Sequence, residues 1–157
     1  MSRAAVEALV WEAERARREL VGYAKSLPPL VLEKQVEGRQ GSVKGILAHV
    51  ASAGYYFVKA TLEANQLPVP EPVYPDIGKS RELGEIFAAL DDVGDYTFRG
   101  TRVLEDRHLS TRLTTRWGEE YSCGQLLEHA LVHFLRHRRQ LERVALGAIR
   151  SWDVEET

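Results

Sequence analysis

The sequence predicts an all-α fold: a four-helix bundle with a short extended crossover before the last helix. Three features point there. Four long segments carry apolar residues at helical period, proline, glycine and capping residues punctuate them, and no internal repeat or low-complexity tract interrupts the chain. With 157 residues, 44% of them hydrophobic, one domain spanning 1–157 is expected, large enough to bury a core without disulfides or metal staples.

The first helix is expected from about Arg3 to Lys25, where Val6, Leu9, Val10, Ala13, Ala16, Leu20 and Ala24 form one stripe and Pro28 and Pro29 stop it. The second begins after Gly41, with Ser42 as N-cap, and passes through Ile46, Val50, Ala53 and Phe57 to about Ala64. The stretch LPVPEPVYPDIG holds four of the six prolines and reads as an extended connection. A third helix is expected from about Ser80, its cap, to Glu105, with Leu83, Ile86, Phe87, Leu90, Val93, Thr97 and Leu104 on its buried face. Next, LSTRLTTRWGEEYS is rich in Thr, Trp and Tyr around a Trp-Gly pair, so a short hairpin or extended crossover suits it. The fourth helix opens at Ser122-Cys-Gly-Gln125, a capping-box pattern, and is expected to end near Leu146 with Gly147 as its stop.

Composition excludes several classes of function. The formal net charge is -2, so no basic excess draws the chain to nucleic acid or to an anionic membrane. Arg136, Arg138 and Arg139 form a local basic cluster that Glu128 and Glu142 flank, which reads as a solvated helix face. The lone Cys123 precludes an intramolecular disulfide framework and fits a reducing cytoplasm. The first twenty residues carry four acidic side chains and no long apolar core, unlike a secretory signal or a transit peptide. No run reaches the roughly 18 apolar residues a membrane helix needs. A cytoplasmic protein without a membrane partner is expected.

The chemistry concentrates in histidine. Three of the five histidines, His129, His133 and His137, follow one another at intervals of four in the last helix, and His49 lies in the apolar run ILAHVASAGYYFV. On a wheel of about 100° per residue with Leu126 at zero, His137 falls at about 20°, His133 at about 340° and His129 at about 300°. The first two lie inside the stripe of Leu126, Ala130, Leu141 and Val144, and His129 lies at its edge as a candidate for the pocket wall. With Ile46 at zero, His49 falls at about 300°, at the margin of its own core face.

A single histidine on an apolar face is ordinarily a hydrogen-bonded core residue. Two at i and i+4, with a third on another apolar helix, instead point to a divalent cation, which satisfies one nitrogen of each neutral ring. His133 is not part of a His-Glu-x-x-His pattern, so zincin-type protease chemistry is not indicated. Asp91, Asp92 and Asp95 cluster on the third helix, where Leu90, Val93 and Thr97 define the buried face and put Asp91 and Asp95 off it; these acids read as a solvated face and not as a ferritin-like di-metal site. Cys123, ten residues before His133, would stand roughly 15 Å away along a continuous helix, too far to ligate the same ion. Trp11, Trp117 and Trp152 are expected to be packing residues, His108 has no partner that the sequence identifies, and Tyr121 and His129 lie nearest the histidine pair without an assignable role as general base.

The segments ILAHV, RWGEEYSCGQLLEHALVHFLRH and HFLRHRRQL resemble the DinB/YfiT-like family of four-helix-bundle metalloenzymes over nearly the whole chain. Members typically carry a His near the start of the second helix and a His-x-x-x-His-Arg-Gly-Gln-like ending on the last. Those positions are His49, His133 and His137 here, followed by Arg138 and Gln140, with Arg139 standing where Gly is usual. The resemblance implies one zinc or nickel ion on His49, His133 and His137, frequent homodimers, and in some relatives the transfer of a low-molecular-weight thiol, of bacillithiol or mycothiol type, to an electrophile. A metal-dependent transferase acting on a small-molecule thiol substrate is therefore expected. A metal-dependent hydrolase and a non-enzymatic, metal-stabilised stress-response bundle remain the alternatives.

Overall fold

Proline, glycine and side-chain caps set most of the boundaries. The computed structural model describes residues 1–38 and 40–155, with side chains described as far as Gly147. Its helices are α1 (Arg3–Ser26), the single turn α2 (Pro29–Leu32), α3 (Val43–Ala64), α4 (Leu83–Thr101) and α5 (Cys123–Glu155). An antiparallel hairpin, β1 (Arg112–Thr114) and β2 (Glu120–Ser122), precedes α5 and pairs Leu113 with Tyr121. The expected bundle and crossover are both present. No helix among the described residues is long and apolar enough to cross a membrane.

Ser2 caps α1 and Ser42 caps α3, their hydroxyls accepting the N–H groups of Ala5 and Gly45. At α5 the capping box is reciprocal: Ser122 N–H donates to Gln125 Oε1 at 2.9 Å and Gln125 N–H to Ser122 Oγ at 3.2 Å.

Four boundaries differ from expectation. Pro29 does not only stop α1; it occupies the first turn of α2, where its missing N–H costs nothing. The third long helix, α4, is shorter than expected. Its cap position is Glu82, because Ser80 is extended and its Oγ accepts the Glu82 N–H at 3.2 Å. At its other end the Arg3 guanidinium donates to the carbonyls of Thr101 (2.6 Å) and Leu104 (2.8 Å), closing α4 before Leu104. Finally, α5 runs through Gly147 to Glu155. Glycine weakens a helix interior by about 1 kcal/mol but ends a helix only where the chain turns left-handed. Trp152, expected to pack, falls outside the described side chains, and Trp11 is not a core residue: it is 65% exposed, with one edge against Phe98.

Each long helix packs on two others, α1 on α5 and α4, and α3 on α4 and α5. Leu20, Ile46, Leu47, Leu62, Ile86, Leu90, Leu126 and Leu141 are wholly buried between them. Each contributes about 1.5–3 kcal/mol by leaving water. The packing of α3 on α4 depends on a reciprocal pair of glycines. A Cβ on Gly54 of α3 would stand 2.5 Å from Val93 Cγ1, and one on Gly100 of α4 would overlap Val58 Cγ1. Gly54→Ala is expected to destabilise the protein by about 1–3 kcal/mol despite alanine's better helix propensity. A urea midpoint unchanged from the wild type would show that the two helices can part at little cost.

The acids of α4 are not a uniform solvated face. Asp91 is the exposed end of an ion-pair network that reaches inward. Arg17 donates to it at 3.1 Å, to the Leu90 carbonyl at 3.0 Å, and through Nε and Nη2 to both oxygens of the buried Glu14. Burial opposes ionisation of Glu14, but Arg17 and Arg18 outweigh it and hold its pKa below the ordinary value. Asp92 is half-buried and accepts the Tyr55 hydroxyl at 2.6 Å and the Val73 N–H at 3.1 Å, pinning the proline-rich connection to α4.

Candidate metal centre

Helix α5 carries His133 and His137 one turn apart on its buried face, where they are 7% and 8% exposed. Across from them α3 presents His49, half-buried at the margin of its own core face. Its ring leans toward α5, so that His49 Nε2 lies 3.1 Å from His133 Nε2, which in turn lies 3.2 Å from His137 Nε2. The three side chains form a group whose ligating nitrogens all lie within 4.8 Å of one another.

Three ring nitrogens this close cannot satisfy one another. Gln140 Oε1 accepts the His137 Nδ1–H at 2.7 Å, which leaves Nε2 of that ring as a bare lone pair. One proton on His133 Nε2 can be shared with one neighbour at a time. A divalent cation resolves the arrangement: tetrahedral coordination at 2.0–2.1 Å puts nitrogens about 3.3 Å apart, close to the observed spacing. The donor set therefore fits a divalent metal, and Gln140 would then be the outer-sphere acceptor that orients the His137 ring.

The local field favours the same protonation state. Burial, then the positive charge of His137 and Arg116, lowers His49 to about 4. Burial first, then the neighbouring imidazoles and Arg136, lowers His133 to about 2. His137 is also lowered, chiefly by burial, against the opposing bond to Gln140. Neutral imidazole is the form that ligates.

The histidines sit on the wall of an open cavity of about 1100 Å³. Phe57 packs its edge against His133, with ring centroids 5.3 Å apart. The hairpin supplies a second wall. Trp117 lies 5.4 Å from the His129 ring and 6.0 Å from Tyr121, centroid to centroid. Glu119 accepts from Trp117 Nε1 at 3.1 Å and from the Tyr121 hydroxyl at 3.0 Å. Trp117, expected to be a packing residue, is thus a cavity wall, 40% exposed.

His129 lines the cavity, as expected for the edge of the stripe, and stands outside the three-nitrogen group. His129→Ala is therefore expected to keep its metal while altering the cavity wall. Metal loss as complete as in His133→Ala would show that the ligand pair on α5 is misassigned.

Cys123 is fully buried at the start of α5, where burial raises its thiol pKa against the opposing hydrogen bond from the Asn65 amide, which donates to its Sγ at 3.4 Å. His108 has a structural role: its Nδ1 accepts the Glu105 N–H at 3.0 Å, locking the 3₁₀ turn that leads to the hairpin. The basic cluster divides. Arg138 bonds Glu19 of α1 at 2.6 Å, whereas Arg136 lines the cavity with Arg81 and Arg116 and is not simply a solvated-face residue. Sequence reasoning missed Arg81, Arg116 and Glu119 as site residues. They lie on a connection and a hairpin, where no periodicity marks direction.

Comparison with known proteins agrees with this architecture. The sequence profile of the DinB superfamily matches residues 12–141, a span that includes His49, His133 and His137. No curated protein matches the chain.

Proposed function

The chain belongs to the DinB superfamily, and on that premise we propose that it is a metal-dependent enzyme that transfers a low-molecular-weight thiol to an electrophile. His49, His133 and His137 would hold one divalent ion, zinc or nickel. One observation carries the reading: among the described residues no fourth His, Cys, Asp or Glu joins the three imidazoles, and the group faces an open cavity. Structural zinc sites are closed by four protein ligands, whereas catalytic sites keep a position for water or substrate.

When bound, the ion would supply Lewis acidity that lowers the pKa of a thiol or water beside it. The chain's own residues do the remaining work. Gln140 fixes the tautomer of His137, and Phe57 and the apolar face of α3 exclude water behind the imidazoles. The hairpin places the Trp117 ring and the Glu119 carboxylate on the opposite wall, where they border a substrate.

Spectroscopy of the cobalt-substituted protein tests the open position. Added 2-mercaptoethanol should produce a thiolate-to-metal charge-transfer band, and conjugation of the thiol to a chlorinated aromatic should then require both metal and thiol. Turnover that proceeds equally well without thiol would replace the transferase with a hydrolase, because the same position can activate water. A spectrum that thiol, anion and chelator all leave unchanged would make the centre structural.

A further inference from the structure

The cavity beside the histidines is strongly and asymmetrically charged. Its lining contains three guanidiniums, Arg81, Arg116 and Arg136, against a single carboxylate, Glu119. That is a surplus of two positive charges in a chain whose formal net charge is -2. The one carboxylate is already engaged by Trp117 and Tyr121. Among the described residues, none of the three arginines pairs with a carboxylate, although arginines elsewhere do, such as Arg3, Arg17, Arg99 and Arg138.

Arg116 is also held in place. Tyr56 accepts its backbone N–H at 2.8 Å, and its guanidinium lies over the Tyr56 ring, 4.4 Å from the centroid. A stacked guanidinium gives up little rotamer freedom on binding, and its planar fork of N–H donors matches carboxylate and phosphate oxygens. The three arginines come from separate elements: Arg81 precedes α4, Arg116 lies in the hairpin turn and Arg136 is on α5. They converge on one concave space, where like charges reinforce one another and the low-dielectric walls focus their field. All three are solvent-exposed, so an anion entering the cavity meets their N–H donors without first having to break an ion pair.

We propose that the substrate of this cavity is an anionic small molecule, whose carboxylate or phosphate group is held by Arg81, Arg116 and Arg136 while its other end reaches the three imidazoles. This deepens the transferase reading and rests on it for the substrate's orientation; anion binding itself does not require the metal. The volume of about 1100 Å³ is at or above the upper end for small-molecule pockets, so it admits an extended molecule with its charge at one end.

The test is calorimetric titration of the full chain, zinc-loaded and after chelation, with succinate, inorganic phosphate and uncharged succinamide. Metal content is measured on the same samples. At least one anion should bind both forms ten-fold or more tightly than succinamide, and the tighter of the two identifies the group as carboxylate or phosphate. The double variant Arg116→Gln, Arg136→Gln should lose most of that preference. Arg116→Lys should retain more of it than Arg116→Gln, and Arg139→Gln, exposed and outside the cavity lining, should retain all of it. The proposal is overturned if neither anion outbinds succinamide in the chelated protein, or if the double variant binds as the wild type does. The chelated arm separates the two readings: anion binding that survives with no metal ever bound sinks the metal centre alone, and stoichiometric metal without anion preference sinks the arginine site alone.

Discussion

Stoichiometric divalent metal is expected to disappear from the purified protein when His133 or His137 is replaced by alanine. Each substitution removes one of the three imidazoles from a group that has no spare donor among the described residues. Losing even an outer-sphere partner of a ligating histidine typically costs 10–100-fold in affinity. Removing the ligand itself should cost more than about 100-fold. Gln140→Leu provides the scale, because it leaves three imidazoles but deprives His137 of its 2.7 Å acceptor, and should fall in that smaller range. Competition with a chromophoric chelator reads all three variants. Because both histidines are buried, circular dichroism must first show that the helices persist, and His133→Gln, which keeps bulk and polarity, repeats the test with less disturbance. One equivalent of metal retained in both alanine variants would remove the centre from this reading.

The metal-free protein should lose stability as pH falls from about 7 toward 5. The sign follows from the direction of the shifts. An unfolded chain protonates its histidines near 6.5, but the folded chain holds His49 down at about 4 and His133 at about 2. Below 6.5 the unfolded state therefore binds more protons than the folded state, and acid favours unfolding. The contribution is complete above the unfolded pKa and is lost as pH drops through the interval to the folded values. Glu14 is depressed from a lower ordinary value of 4.5 and adds its loss mainly beneath that window. Urea unfolding of chelated protein at pH 7.5, 6 and 5 should show falling midpoints, and His133→Leu should flatten the decline. Zinc should steepen the advantage of neutral pH, because protons and metal compete for the same lone pairs. A midpoint independent of pH between 7.5 and 5 would mean that these rings are hydrated and not packed as described.

Most of the scaffold was legible because helices announce themselves twice, by period and by cap. Ser42, and Ser122 with Gln125, marked helix starts whose hydrogen bonds the structure contains. The wheel separated the buried His133 and His137 from the marginal His129, since the angle about the helix axis decides which residues face the bundle. His49 was harder, because its position at the edge of α3 becomes a site only when the ring tilts toward α5. Period and caps could not reveal what depends on a second element. Arg3 ends α4 from more than ninety residues away in sequence, so the early stop before Leu104 left no local mark. Gly147 carried a stop signal, yet helix geometry continues through it. The cavity arginines come from three elements with no shared period, and Asp92 was read as solvated because its Tyr55 and Val73 partners lie on α3 and in a loop.

The direct passage from β2 into α5 has a consequence for how this chain can change. No linker separates Ser122 from Cys123, so the hairpin sets the angular phase at which the last helix enters the bundle. A residue added on the helix side of the capping box would index every later position by about 100°, turning His133 and His137 away from His49. The tip between Thr115 and Glu119, where Gly118 takes a φ of +91°, is not in series with that angle. Length and composition can drift there, reshaping the cavity wall, while the imidazoles keep their bearing. The shape of the cavity wall and the bearing of the imidazoles are thus mechanically uncoupled within a single stretch of about ten residues.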